Sequence, residues 1–291
     1  MNRLVAAILP RQVSQTPYGK MLFSPGWLSM GLHGARMLSR NPWVQSGGNS
    51  TDLIVDGQRK KNEFTSLGAP EEKIRIVGDP IHDDLHRCFL NREDVRANLL
   101  ERFGFSGDRR LIAFAVPIYA EHGFMTMSEH LALLRDFAAA VAAVKQNVIL
   151  SFQPKSDPRN YTFLTDEFGF RVSDVPLVQF LPACDMLLCG NSSTQDWAIL
   201  CGLPTVNMDY VRINDNAFVD CPGTIHVNTS EQFIVALKDI LSNYDRFAQN
   251  QMDAARGRAL FDGRVWSRYM DFMDELAVRG MAQASVQKGA M

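Results

Sequence analysis

The sequence contains no apolar stretch near the ~20 residues needed to cross a bilayer, no low-complexity segment and no internal repeat. A transmembrane helix, a disordered tail and a repeat array are therefore not expected. Cysteine is scarce, five among 291 residues, an odd number without zinc-type spacing. Neither a disulfide framework nor a zinc module fits, and a reduced, cytoplasmic chain is the simple reading. Net charge is almost absent, at −2 from 30 basic and 32 acidic side chains. A general nucleic-acid binder shows a basic excess, so no nucleic-acid partner is expected. The start, MNRLVAAILPRQ, holds an apolar run too short for a signal peptide.

Acid is missing from one region in particular. Residues 1–51 carry five basic side chains and no carboxylate before Asp52. Residues 1–110 hold 16 basic and 12 acidic side chains, and residues 111–291 hold 14 and 20. A basic lobe containing Trp27 and Trp43 fits a phosphorylated substrate or an anionic membrane surface, with the protein peripheral at the inner face. It also fits a lobe whose acids simply begin later.

What is present is a globular balance, 46% hydrophobic and 21% charged, with length for two ordinary domains. Short apolar runs alternate with longer helical stretches, the rhythm of βα units around a parallel sheet. Strands are expected at Leu4–Leu9, Asp52–Val55 and Lys73–Val77, with a helix over 58–67 stopped by Gly68. Residues 91–103 read as a linker helix. Beyond it, strands are expected at Arg110–Val116, Asn147–Phe152, Phe170–Val172, Asp185–Cys189 and Thr205–Asn207. Helices are expected near Ser128–Lys145, Tyr161–Phe168, Leu177–Leu181, from Thr194 to Cys201, over Ser230–Leu241 and near Arg264–Val278. The expected fold is α/β with two Rossmann-like lobes in series. A short or incomplete first lobe spans 1–105, a second lobe 106–260, and a closing helix and tail 261–291.

The most informative segment is CDMLLCGNSSTQDWAILCGLPTVNM, residues 184–208. A buried strand runs into small residues, and a helix begins directly at that loop. Small side chains permit close approach, hydroxyls donate, and helix amides lie unpaired, a combination suited to a phosphate or diphosphate. The carboxyl end of a parallel strand is also where open α/β sheets bind ligands. Helix capping alone would also use Asn, Ser and Thr here.

This pattern resembles the second lobe of GT-B-fold glycosyltransferases, in particular the CDP-glycerol glycerophosphotransferases and capsule polysaccharide transferases, and the related UDP-N-acetylglucosamine 2-epimerases. A second likeness is DLIVDGQRKKNEFTSLGAPEEKIRIVGDPIHDD, residues 52–84, through Gly68, Ala69, Pro70, Lys73, Ile74, Gly78, Asp79, Pro80 and Asp83. A third is Leu32-His33-Gly34, similar to the His-Gly of the transferases. A fourth is Asp262-Gly263 before the last helix. Together they cover roughly residues 30–275.

The resemblance implies a GT-B-like protein with a nucleotide-activated donor, UDP- or CDP-linked, as substrate and no further cofactor. Asn191, Ser192, Ser193 and Thr194 would hold the donor diphosphate. Gln153 and Lys155 follow the second strand of the donor lobe, where phosphate is within reach. Glu121 and His122 stand where the first loop of that lobe meets the cleft, and Asp196 lies on the helix after the double Ser. His33 on the first lobe would be the general base or an acceptor-binding group, since an accessible imidazole titrates near neutral pH. His82, Asp83, Asp84 and His86 look metal-like, but Asp83 belongs to the first-lobe motif and the fold needs no bound metal, so none is expected.

Two positions depart from the family pattern: Gln153 replaces a His, and Trp197 replaces an acid. The first lobe is shorter than a complete acceptor half, so the expectation is that the acceptor half has been lost, that the reading frame starts internally, or that a second copy or partner subunit supplies the missing wall. The implied reaction transfers a sugar or polyol phosphate to a surface-polysaccharide or lipid-linked acceptor. A hydrolysing UDP-sugar 2-epimerase and a non-catalytic binding subunit are the alternatives.

Overall fold

A computed structural model of the chain describes residues 2–16, 19–38, 50–211, 218 and 220–289. It divides into two compact units, Met1–Asp79 with Arg268–Met291, and Pro80–Ser267. This division falls before the helix of residues 91–103.

The first unit opens with α1 (Asn2–Ile8), where a strand was expected. Short apolar runs do not distinguish the two, and Ala6-Ala7 favours helix. Helical spacing is visible in burial: Val5 and Leu9 point inward while Leu4 and Ile8 are exposed. A hairpin of β1 (Val13–Thr16) and β2 (Gly19–Leu22) follows, then α2 (Gly26–Gly34). β3 (Leu53–Val55), α3 (Gln58–Ser66) and β4 (Ile74–Ile76) form a βαβ unit with a parallel pair. Its small core joins Leu53, Val55, Phe64, Ala69 and Ile74. Gly68, at φ 94°, makes the turn that stops α3. Two parallel strands are all this unit shows among its described residues.

The second unit carries α4 (Ile81–Leu90) and α5 (Arg92–Phe103), then β5 (Leu111–Ala115), α6 (Met127–Ala143), β6 (Asn147–Ser151), α7 (Phe163–Asp166) and β7 (Arg171–Val172). β8 (Met186–Cys189), α8 (Thr194–Leu200), β9 (Thr205–Met208), β10 (Thr224–Val227), α9 (Ser230–Ser242) and α10 (Tyr244–Ala255) follow. A last helix, α11 (Val265–Gly289), begins here and continues into the first unit. The six strands form one parallel sheet in the order β10-β9-β8-β5-β6-β7.

Both sheet faces are covered, which is why β5 and β8 read as uninterrupted apolar runs. Ile112 and Phe114 face one core with Leu134, Phe137 and Phe233. Leu111 and Ala113 face the other, with Leu99, Leu187 and Ala198. Leu99 ties α5 to the sheet, so residues 91–103 are a packed helix of this unit and not a linker.

Candidate functional site

The strand order fixes where a ligand can enter. From β5 the chain winds outward through β6 to β7, then returns to β8 on the other side of β5 and winds outward through β9 to β10. The βα loops after β5 and β8 therefore leave on opposite faces and open a crevice between them at the carboxyl edge, the usual ligand position in such sheets. Glu121 and His122 lie in the loop after β5, Gln153 and Lys155 in the loop after β6, and Asn191–Ser193 in the loop after β8. Thr194 and Asp196 open α8. The topology gathers these nine residues on one sheet edge.

At the crevice, Pro117 and Tyr119 from the first loop lie against Gly190 from the second, and a Cβ on residue 190 would overlap the Tyr119 hydroxyl. That hydroxyl donates to the Met208 carbonyl at the end of β9. Burial pushes the Tyr119 phenol far above its ordinary range, so it stays a neutral donor.

Loop 190–194 is held internally in a way that leaves particular groups free. Ser192 Oγ accepts from the Thr194 amide at 3.3 Å and from the Thr194 hydroxyl at 2.9 Å. Both Thr194 donors are thereby engaged, and the Ser192 hydroxyl keeps its own proton to donate outward. Ser193 is exposed, and neither its hydroxyl nor its amide has a partner among the described residues. The loop thus offers two hydroxyl donors and one amide donor, a set that suits an anion and not a cation.

The surrounding residues have more varied roles. Glu121 accepts from the Tyr161 hydroxyl at 2.5 Å, and its other oxygen lies 3.8 Å from Nδ1 of the fully buried His130. Burial and the Glu121 carboxylate both push the Tyr161 hydroxyl up. Tyr161 packs on Phe152 within the loop after β6, and its bond to Glu121 joins that loop to the one after β5. His122 and Lys155 are exposed, and Gln153 is half-buried. Asp196 turns to Arg258, whose Nε donates to Oδ1 at 2.7 Å behind the loop. Trp197 packs inward, between the cores of Leu99 and of Leu85.

His33 belongs to the other unit, where it is exposed on α2 beside a cavity of about 300 Å³ lined by Ile8, Leu9, Arg11 and Leu38. Trp43 lies outside the described residues. The IHDDLH residues make packing contacts: His82 Nδ1 is 3.2 Å from the Leu260 carbonyl, and His86 stacks edge-on against Phe261. Asp83 takes the Val265 and Trp266 amides. All five cysteines are free thiols, and no helix among the described residues is long and apolar enough to cross a membrane. A cavity of about 580 Å³ opens at the opposite, amino end of the large sheet. There Asp185 already pairs with Arg96 at 2.9 Å and Arg110 at 3.6 Å.

The sequence reading missed Asn207, on β9, and Asp209, directly after it, which grip Asn191. A buried polar residue in Thr205–Asn207, a strand otherwise read as core, was the available signal.

No protein-family model matches the sequence, and a search of curated proteins finds no match. Solved structures do match in shape. The wall teichoic acid polymerase TagF aligns over 82% of this chain and 61% of its own at a TM-score of 0.57 and 16% identity. The UDP-GlcNAc 2-epimerase of Neisseria meningitidis, bound to UDP-GlcNAc, aligns over 77% and 66% at a TM-score of 0.51 and 12% identity. The chain therefore has a GT-B-like fold of Rossmann-like lobes, and it spans about three fifths of the length of the TagF structure.

Proposed function

We propose that the chain binds a nucleotide-activated donor, UDP- or CDP-linked, and transfers its sugar or polyol phosphate to a surface-polysaccharide or lipid-linked acceptor. The observation that carries this reading is the crevice between the loops after β5 and β8, with Gly190 at its floor and the unengaged donors of Ser192 and Ser193 at its edge. The likeness to TagF, solved after soaking with CDPG, and to an epimerase bound to UDP-GlcNAc supports the donor class.

In this mechanism Ser192 and Ser193 bind the donor diphosphate and meet the charge that develops on the phosphate of the departing nucleotide. Lys155, His122 and Gln153 stand on the neighbouring loops to receive the rest of the donor. The acceptor hydroxyl oxygen bonds either to the anomeric carbon of a sugar, breaking its bond to the diphosphate and releasing the nucleoside diphosphate, or to the distal phosphorus of a polyol donor, breaking the anhydride and releasing the nucleoside monophosphate. In both cases the proposed base for the hydroxyl proton is His33. Leu4, Ile8 and Trp27, exposed on the basic first unit, support a membrane-facing acceptor side.

One observation favours binding without turnover. The position where the related transferases carry an acid is Trp197, and its ring packs into the interior.

The test is thermal stabilisation by UDP, CDP, CMP, GDP and ADP. A ligand specific to the folded state adds about 2.7 kcal/mol at 100 times its dissociation constant. A selective shift that disappears in the Ser192→Ala, Ser193→Ala double variant is expected; no shift with any nucleotide overturns the reading. With the nucleotide identified, His33→Ala should keep the shift and lose about 100-fold or more of any transfer rate. Unchanged turnover would remove His33 from the base role, and no turnover in the parent chain would favour a binding subunit.

A further inference from the structure

Asn191 sits at φ 39°, in the left-handed region that residues other than glycine hold only with support. Asn207 supplies that support. It is 1% exposed, and each polar group of its side chain is engaged. Its Oδ1 accepts the Asn191 backbone N–H at 2.7 Å, and its Nδ2 donates to Asn191 Oδ1 at 3.0 Å. Nδ2 is also 2.9 Å from Nδ1 of His226, the residue paired with Asn207 on β10. A carboxamide has two N–H bonds, so this second contact makes His226 Nδ1 the acceptor, and its proton sits on Nε2. Asn191 Nδ2 in turn donates to Asp209 Oδ1 at 2.5 Å. Cys189 and Asn207 are register partners, so the grip begins where β8 ends.

Ser192 and Ser193 follow Asn191 directly, and their hydroxyls and the Ser193 amide are the donors that the crevice offers. Rotation of the Asn191 backbone would turn all three away. We infer that Asn207 is the positioning residue of this loop: it holds Asn191 left-handed and thereby aims Ser192 and Ser193 into the crevice. The inference rests on the donor-binding reading of the loop for its consequence, but not for the contact itself. At 1% exposure Asn207 acts through Asn191.

The experiment uses the full chain with two readouts, amide hydrogen exchange across residues 184–200 and affinity for the nucleotide that stabilises the parent protein. Asn207→Ala is expected to speed exchange at Asn191 by about tenfold or more and to weaken nucleotide binding by about tenfold. Glycine holds positive φ without strain. Adding Asn191→Gly to Asn207→Ala is therefore expected to return affinity to within about threefold of the parent. A role for Asn207 confined to packing in β9 would not be repaired by a glycine on another strand. Should Asn207→Ala fail to fold, Asn207→Leu keeps the volume, loses the accepted bond and both donated bonds, and carries the same comparison.

Unchanged exchange at Asn191, or a loss of affinity that glycine does not repair, overturns the inference. If no nucleotide binds the parent chain, the donor reading falls separately. Exchange at Asn191 then decides alone, faster exchange supporting the positioning role and unchanged exchange overturning it.

Discussion

The phenol of Tyr119 occupies the space that a side chain on residue 190 would need, and Gly190 is what lets the loops after β5 and β8 close on each other. Tyr119 cannot move aside freely, because it is 4% exposed and its hydroxyl donates to the Met208 carbonyl. Gly190→Ala must displace either the ring or the loop. Overpacking of this kind costs about 1–3 kcal/mol, to be read from urea unfolding. Tyr119→Phe alone should cost about 1 kcal/mol through the lost hydrogen bond. In the Phe background the alanine penalty should shrink, because the nearest overlapping atom is gone. Strictly additive penalties would show that the two residues do not meet.

Behind the same loop, Arg258 is 4% exposed at its side chain and Asp196 is 35% exposed. The two halves of this ion pair are therefore unequal. Asp196→Ala removes the 2.7 Å charge-assisted bond from a buried guanidinium that also contacts the Cys221 sulfur at 3.1 Å and lies 3.8 Å from Asp220. Arg258→Met leaves a carboxylate that still reaches water. Loss of one partner of a buried pair costs about 3–5 kcal/mol when no other charge is near. With Asp220 close by, about 2–4 kcal/mol is expected for Asp196→Ala and clearly less for Arg258→Met. Equal losses in chemical denaturation would contradict this asymmetry.

Legibility in the sequence followed how each element is buried. β5, β6 and β8 announce themselves as RLIAFAV, NVILSF and DMLLC because both sheet faces are covered, and the crevice loop is visible as small residues after such a run. β10 escaped notice, since Thr224-Ile225-His226-Val227 is a half-exposed edge strand with polar residues in it. α4 escaped too: IHDDLH carries a turn-and-ligand look, yet Leu85 and Cys88 are buried at helical spacing. The first strand expected, Leu4–Leu9, became α1 because its apolar run carries no periodicity that separates strand from helix. The Asn191–Asn207 grip is invisible in one dimension. Sixteen residues separate the partners, and parallel pairing of β8 with β9 brings them together.

Asp83 gives one such long-range contact a measurable size. It is 7% exposed, and its carboxylate accepts the Val265 amide at 3.0 Å and the Trp266 amide at 2.9 Å, capping the first turn of α11 from α4. Asp83→Ala removes the carboxylate to which both helix amides donate. A cap is worth about 0.5–2 kcal/mol, and burial puts this one at the upper end. Asp83→Asn, which keeps one accepting oxygen, should recover part of the loss. Identical denaturation midpoints for the parent and Asp83→Ala would show that solvent satisfies these amides equally well.

His130 adds a pH dependence whose sign follows from its surroundings. Its ring is fully buried on α6, packed near Tyr119 and Tyr161, with Glu121 3.8 Å away. Burial lowers its pKa, more than the Glu121 carboxylate and the Pro117 carbonyl raise it. The unfolded chain takes up this proton near the ordinary imidazole value of about 6.5, while the folded chain resists until lower pH. Between those points the unfolded state binds more protons, so stability rises with pH. The contribution is complete above about pH 6.5 and falls away as the solution is acidified below it. His130→Leu keeps an apolar side chain of similar reach and removes the titration. Its unfolding free energy should therefore change less between about pH 6.5 and 5 than that of the parent, a window lying above the ordinary carboxylate range. Parallel curves for the two proteins would assign the acid sensitivity to other groups. A flatter curve for His130→Leu would place it on this histidine, one turn into the helix that follows the crevice loop.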